Sequence, residues 1–119
     1  MKEIHVTGFI KLVENYDPGD GLYIGGEVLS DKLDIIDGAN VSVTFYISDI
    51  EKSLEELNEN LIKTITGVLS ADYGDRYSEY TGYLWTTDCI EIDNHDLRDD
   101  LSLHDGKFCY LILKINNES

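Results

Sequence analysis

One hundred and nineteen residues are one domain's worth of chain, and 24 acids against nine bases leave a formal charge of −15. With 42% hydrophobic and 10% aromatic residues the chain can bury roughly 65% of its unfolded surface, which excludes a wholly disordered polymer. So strong an anion is opposed to nucleic acid as a direct ligand.

The start, MKEIHVTGFIKLVENYD, has one base ahead of an interrupted apolar stretch and no small-residue cleavage site, so no signal peptide is expected. No run approaches the ~20 apolar residues of a membrane span, and the expected compartment is the cytoplasm. Cys89 and Cys109 sit in apolar segments and read as buried thiols, not as a disulfide.

Residues 3 to 13 alternate, with Ile4, Val6, Ile10 and Leu12 opposite His5, Thr7, Phe9 and Lys11, the period of a strand. Asn15 to Gly21 concentrates the one proline and two glycines into a loop, and Leu22 to Ser30 reads as a second strand bent at Gly25-Gly26. Asp31 to Gly38 is an acidic connection whose Leu33, Ile35 and Ile36 could make a short edge strand. Val41, Val43, Phe45 and Ile47 alternate with Ser42, Thr44, Tyr46 and Ser48 in the clearest strand pattern of the chain.

Ser48-x-x-Glu51 then has the form of a capping box, and Ile50, Leu54, Leu57, Leu61, Ile62 and Ile65 recur at helical spacing until Gly67. This predicts one amphipathic helix of about 17 residues with Glu51, Lys52, Glu55, Glu56, Glu59 and Lys63 outward. Ala71 to Ser78 is polar and turn-like, and Tyr80–Thr86 and Cys89–Asp93 read as two short strands hinged at Thr87-Asp88. A short helix is expected from Asn94 to His104, capped by Asp93 or Asn94, with Leu97 and Leu101 inward. Lys107 to Ile115 is apolar on both faces, as a central strand is, and order is expected to be lost only from Asn116 to Ser119.

The expected fold is α+β: one domain, 1–119, with a mostly antiparallel, curved sheet of about five to seven strands, open or curling into a small partly open barrel, one long amphipathic helix and one short helix. The chain shows no internal repeat and no linker.

Catalytic signatures are missing. No G-x-S-x-G elbow, Walker loop or dinucleotide fingerprint occurs. Cys89, His95, His104 and Cys109 include the residue types zinc takes, but not in the close pairs that its sites use. Asp17 and Asp20, or Asp72, Asp75 and Glu79, do not fit the calcium-loop pattern. Neither a metal nor a cofactor is expected, and the chain reads as a non-enzyme.

Function is therefore argued from the charge. Residues 14 to 37 carry seven acids against Lys32, and residues 88 to 105 carry seven against Arg98, while the first eleven residues net +1. Carboxylates two apart on a strand are ~6.6 to 6.8 Å apart and those four apart on a helix about 6 Å, near the pitch of successive phosphates. A folded body with acids at that pitch can occupy the cationic groove of a nucleic-acid-binding protein. The expected contact surface is Asp88, Glu91, Asp93, Asp96, Asp99 and Asp100, flanked by Tyr77, Tyr83 and Trp85, with Tyr80 on the opposite strand face.

Small size, acidity and lack of a catalytic motif give the chain the general character of phage anti-CRISPR and anti-restriction proteins. The expected activity is inhibition of a basic nuclease or nucleic-acid-binding complex. The alternatives are an immunity protein that plugs a basic toxin nuclease, and a structural or small-ligand-binding domain kept soluble by its acids.

Overall fold

The computed structural model describes residues 2–14 and 21–116, positions 75, 76, 84 and 85 by backbone. The strands are β1 (Lys2–Val13), β2 (Gly21–Ile24), β3 (Glu27–Val28), β4 (Asn40–Ser48), β5 (Leu61–Tyr77), β6 (Leu84–Ile92), β7 (His95–Asp96) and β8 (Phe108–Ile115). Two short α-helices, α1 (Leu29–Leu33) and α2 (Leu97–Ser102), follow β3 and β7. All eight strands form one antiparallel sheet in the order β3-β2-β1-β8-β4-β5-β6-β7, curled into a half-barrel.

β8 occupies the centre between β1 and β4, as its doubly apolar sequence requires. Val6, Ile10, Val41, Val43, Phe45, Leu69, Ile90, Leu111 and Leu113 point into the curl, where Leu29 and Leu33 of α1 and Leu97 and Leu101 of α2 cover them.

The long helix does not form. A 3-10 helix, Leu54–Asn60, buries Leu57, and the chain then becomes the 17-residue strand β5. Helical spacing extends through Leu61 by coincidence; from Ile62 the β-branched series Thr64, Ile65, Thr66 favours the pleat, and β4 supplies a ladder to pair with. The cap is real but displaced, because Glu56 accepts from the Ser53 N–H at 3.1 Å and the Ser53 hydroxyl at 3.0 Å. Those bonds, the backbone one first, hold the Glu56 carboxyl below its usual range.

Other expectations shift in the same region. Ala71 to Tyr77 belongs to β5, with Ser78 opening the turn after it, and Thr87-Asp88 lies inside the continuous β6. Eight strands lie among the described residues, and Asp31 to Gly38 holds the end of α1 followed by a 3-10 turn at Asp34–Ile36, not an edge strand. Asp96 caps α2 by accepting from Arg98 N at 2.9 Å, while Asp93 and Asn94 form the preceding turn with φ of 49° and 70°. Asn116 is fixed, its amide donating to Asn40 Oδ1 at 3.0 Å. The Asn15 to Asp20 part of the expected loop lies outside the described residues.

The chain does contain a repeat, visible once strands are matched by register. β1-β2-β3-α1-β4 and β5-β6-β7-α2-β8 are the same unit, and the sheet order is a palindrome about the β8–β4 junction. Val6-Thr7-Gly8-Phe9-Ile10 corresponds to Ile65-Thr66-Gly67-Val68-Leu69, so the pair Gly8↔Cys109 matches Gly67↔Val41. Ile10 N donates to Lys107 O at 2.9 Å, as Leu69 N does to Ala39 O at the same distance. Leu12 N donates to Asp105 Oδ1 and Ala71 N to Asp37 Oδ1, both at 2.8 Å, each acceptor opening an Asp-Gly turn. Each unit's first strand pairs with the other unit's last, so neither unit closes its sheet alone.

Both units fold a hairpin turn back over a glycine. A Cβ on Gly8 would stand 2.2 Å from Gly25 Cα, and one on Gly67 would stand 2.4 Å from Asp93 Cγ. Gly8 also has φ of 147°, so Gly8→Ala meets immovable backbone and a strained dihedral together. Gly8→Ala is expected to cost about 3 kcal/mol or more in urea unfolding, and Gly67→Ala about 1–2 kcal/mol. Adding Asp93→Gly should recover part of the second loss, and no recovery would refute this account of Gly67.

Candidate partner-binding surface

The expected acid surface is mostly spent on the fold. Asp88, its side chain 6% exposed, lies at the seam where the two ends of the curled sheet approach. It accepts from Leu22 N of β2 at 2.9 Å and from the Ser30 hydroxyl of α1, and it pairs with Arg98 of α2, whose Nε is 2.9 Å from Oδ2. The Nε–H is not aimed at that oxygen, so the contact is an ion pair and not a hydrogen bond. Ser30 and Arg98 hold matching positions in the two units, directly after Leu29 and Leu97, and both converge on this one carboxylate.

Asp93 packs on Gly67 and accepts from Val68 N at 2.8 Å, and Asp96 is the α2 cap. Asp100 sits 2.5 Å from His95 Nε2 and 3.4 Å from Lys63 Nζ. The matching positions of the first unit carry the opposite polarity, Lys32 on Glu27 at 3.0 Å. Glu91 accepts from the Cys89 thiol at 3.5 Å. Of the six acids only Asp99 is exposed with a carboxylate that bonds to nothing among the described residues. Outside this group, Asp31, Asp34, Glu55, Glu59 and Glu79 also make no ion pair among the described residues.

The tyrosines stand elsewhere. β4 accompanies β5 only to Val68, so Leu69 to Tyr77 pairs with β6 alone and the two strands form an arm. Nineteen residues separate Ala71 from Ile90, where ten separate the matching Leu12 and Leu22, so the arm is an extension that the first unit lacks. Its tip is closed by Ser78 N to Tyr83 O at 3.0 Å and Gly82 N to Ser78 O at 2.8 Å. Tyr77 and Tyr83 are 63% and 71% exposed there, and Tyr80, which the sequence placed apart from them, is fully exposed beside Glu79. Trp85 is opposite Arg76 in register, its side chain outside the described set.

Two connected hollows lie on the outer face of β1. One of about 470 Å³ runs between Tyr110, Phe108 and the Glu51-to-Glu56 segment, the other of about 790 Å³ between Phe9, Lys11 and Tyr23, and both touch Gly8 and Glu51. Sequence reasoning missed this groove because the crossing of residues 49–60 over the sheet was hidden by the helix expectation. His5 is on that face, Nδ1 2.8 Å from the Tyr110 hydroxyl.

Among the described residues no group of three His, Cys, Asp or Glu side chains could hold a metal. Nor is any helix among them long and apolar enough to cross a membrane. The chain matches no family model and shows no significant similarity to a curated protein or a solved structure.

Both cysteines are free. Burial first, then the bond to Glu91 and the charges of Glu91, Asp96 and Asp72, push the Cys89 thiol up to about 11; burial alone pushes Cys109 up to about 12. Roughly one Cys89 in a thousand is thiolate at pH 8, so alkylation of the native protein should be far slower than that of the unfolded chain. Because the folded values exceed the unfolded one, stability should hold below about pH 9 and decline as pH rises towards 11–12.

Removing the seam carboxylate should be severe: Asp88→Ala should cost about 3–5 kcal/mol, leaving Arg98 with only exposed Glu14, 3.5 Å from its guanidinium, and leaving Leu22 N–H and the Ser30 hydroxyl without their acceptor. Asp99→Asn should stay within about 0.5 kcal/mol. Equal urea midpoints for the two variants would show that the seam does not hold the sheet ends together.

Proposed function

We propose that this chain is a non-enzymatic binding protein that acts in the cytoplasm on a basic, nucleic-acid-binding protein, gripping it with the tyrosine-bearing arm and drawing it in by its charge. The observation that carries this reading is the exposure of Tyr77, Tyr80 and Tyr83 at the tip of an extension that the matching unit does without. Tyrosine offers large contact area for few rotatable bonds and is enriched at binding hot spots. The tip is already closed by its own hydrogen bonds, so little ordering entropy remains to be lost on docking.

The charge sets the partner's sign. At −15 the field steers a cationic surface and repels an anionic one. Exposed Glu79 beside the tyrosines supplies short-range pairing, and unpaired Asp31, Asp34 and Asp99 add to the field. An inhibitor of anti-restriction or anti-CRISPR kind, in which an acidic body stands in for nucleic acid, fits these features.

The test is affinity capture from lysate, comparing wild type with Tyr77→Ser/Tyr80→Ser/Tyr83→Ser. The expected result is a basic protein retained at about 0.1 M salt, lost as screening shortens from about 10 Å towards 3 Å at 1 M, displaced by excess nucleic acid, and retained at least tenfold less by the variant. Retention by the variant at wild-type strength would remove the arm. Retention undisturbed by nucleic acid would remove the mimic and leave a plug of immunity-protein type.

A further inference from the structure

We infer that the hollow between β1, β2 and the crossing of residues 49–60 is a binding site for a short peptide with both termini free, two or three residues long and apolar in its side chains. The site lies apart from the arm and does not rest on the proposed partner.

The first support is a pair of opposite charges that the fold leaves unused. In a chain of 24 acids and nine bases, Lys32, Lys63, Arg98, Lys107 and Lys114 each hold a carboxylate oxygen within 3.6 Å. Exposed Lys11 holds none among the described residues, despite the excess of acids. Glu51, on the crossing, likewise makes no hydrogen bond or ion pair among them. Both side chains line the one hollow of about 790 Å³. An ammonium group suits Glu51 and a carboxylate suits Lys11. A ligand that carries both is neutral overall, so the field of a −15 protein does not exclude it.

The second support is the apolar floor between the two charges. Phe9 is 47% exposed yet held edge-on by Phe108, the ring centroids 5.6 Å apart, so a ligand side chain meets a ring that is already fixed. Tyr23 and Val13 line the same hollow. Gly26 keeps it open: its φ is 86° where that of the matching Asn94 is 70°, so the turn admits a side chain there, and a Cβ on Gly26 would meet nothing within 4 Å. The second unit carries Val68, Ser70 and Glu91 at the positions of Phe9, Lys11 and Tyr23, with neither ring nor cation. The repeated framework therefore folds without these three side chains.

The length of the ligand follows from the spacing of the charges. The hollow meets its neighbour of about 470 Å³ at Gly8 and Glu51, and Lys11 lies three residues further along β1, ~10 Å at strand pitch. The two charges of a single amino acid are one carbon apart, whereas two or three extended residues separate them by ~7–10 Å.

The test is NMR titration of the whole protein with the peptide Ala-Phe-Leu, against its N-acetylated and its C-amidated forms. At about pH 6.5 the free amine is charged, and at about 0.15 M salt the net field is screened beyond about 8 Å. The expected result is a Kd of about 1 mM or below, with amide shifts at Gly8, Phe9, Lys11, Tyr23, Gly25 and Gly26. Blocking either end should weaken binding about two- to fivefold, the worth of an exposed ion pair. Glu51→Gln should weaken the free peptide by the same factor and abolish the effect of N-acetylation, and Lys11→Met should do so for amidation. Both residues are exposed, so neither variant endangers the fold. Absence of shifts at about 5 mM peptide, shifts centred on the arm, equal binding of the blocked peptides, or variants that leave the blocking effects unchanged would each overturn the inference.

Discussion

A sheet of eight strands that curls only half-way leaves two ends near each other with nothing to pair them, and the Asp88 carboxylate is what ties them. It is carried on β6, close to one end of the strand order, and receives the N–H of Leu22 on β2 near the other. Ser30 and Arg98 bring in the two helices that fill the mouth of the curl. Four segments distant in sequence thus meet on one buried anion. Beneath them lies an apolar layer that includes Leu29, Leu33, Leu97 and Leu101, all fully buried. A buried ion pair gives little net stability over an apolar substitute, but one broken pair is costly, so the seam specifies closure more than it adds strength.

Around the seam the chain is nearly symmetric, and the departures from symmetry are where the proposed binding arm and the groove lie. The two units exchange strand pairings at the middle of the sheet, β1 with β8 and β4 with β5, so each needs the other to complete its sheet, which ties the whole fold to long-range contacts. The matching Asp-Gly turns and glycine crossings serve closure in both halves. What has no counterpart is the lengthened β5–β6 arm and the crossing of residues 49–60, with its groove against β1. Features that a duplicated framework does not require for folding are the ones whose residues can be chosen for recognition.

Much of the framework is legible in the sequence, because period-two alternation in β1, β4 and β8 follows directly from a sheet with one buried face. The glycine bend at Gly25-Gly26 and the inward leucines of α2 are equally direct. The helix over Ile50 to Ile65 was not, since apolar spacing in a short window fits both periods and only the β-branched residues after Leu61 distinguish them. The repeat was hidden for a related reason: its signal is two five-residue runs around Gly8 and Gly67 at an offset that the arm then changes. On the surface, Tyr77 and Tyr83 were placed together by strand parity; both are exposed, but Tyr83 lies in the turn before β6 and not within a strand, because the tip hydrogen bonds close there. The fate of the acids was not, because whether a carboxylate faces water or a neighbouring N–H depends on contacts such as Leu22 with Asp88, 66 residues apart.

The surplus charge, finally, does not act as a single quantity. Asp37, Asp88, Asp93, Asp96 and Asp105 are fixed to backbone N–H groups and behave as parts of turns, caps and the seam. Their charge still contributes to the distant field, since hydrogen bonding leaves the net charge of a carboxylate unchanged. In the proposed binding role, steering would draw on nearly all the acids, while contact would draw on unpaired ones such as Glu79 and Asp99. A protein built this way can be strongly anionic at long range and selective at short range, and under the proposed function the arm would supply the apolar contact that charge cannot.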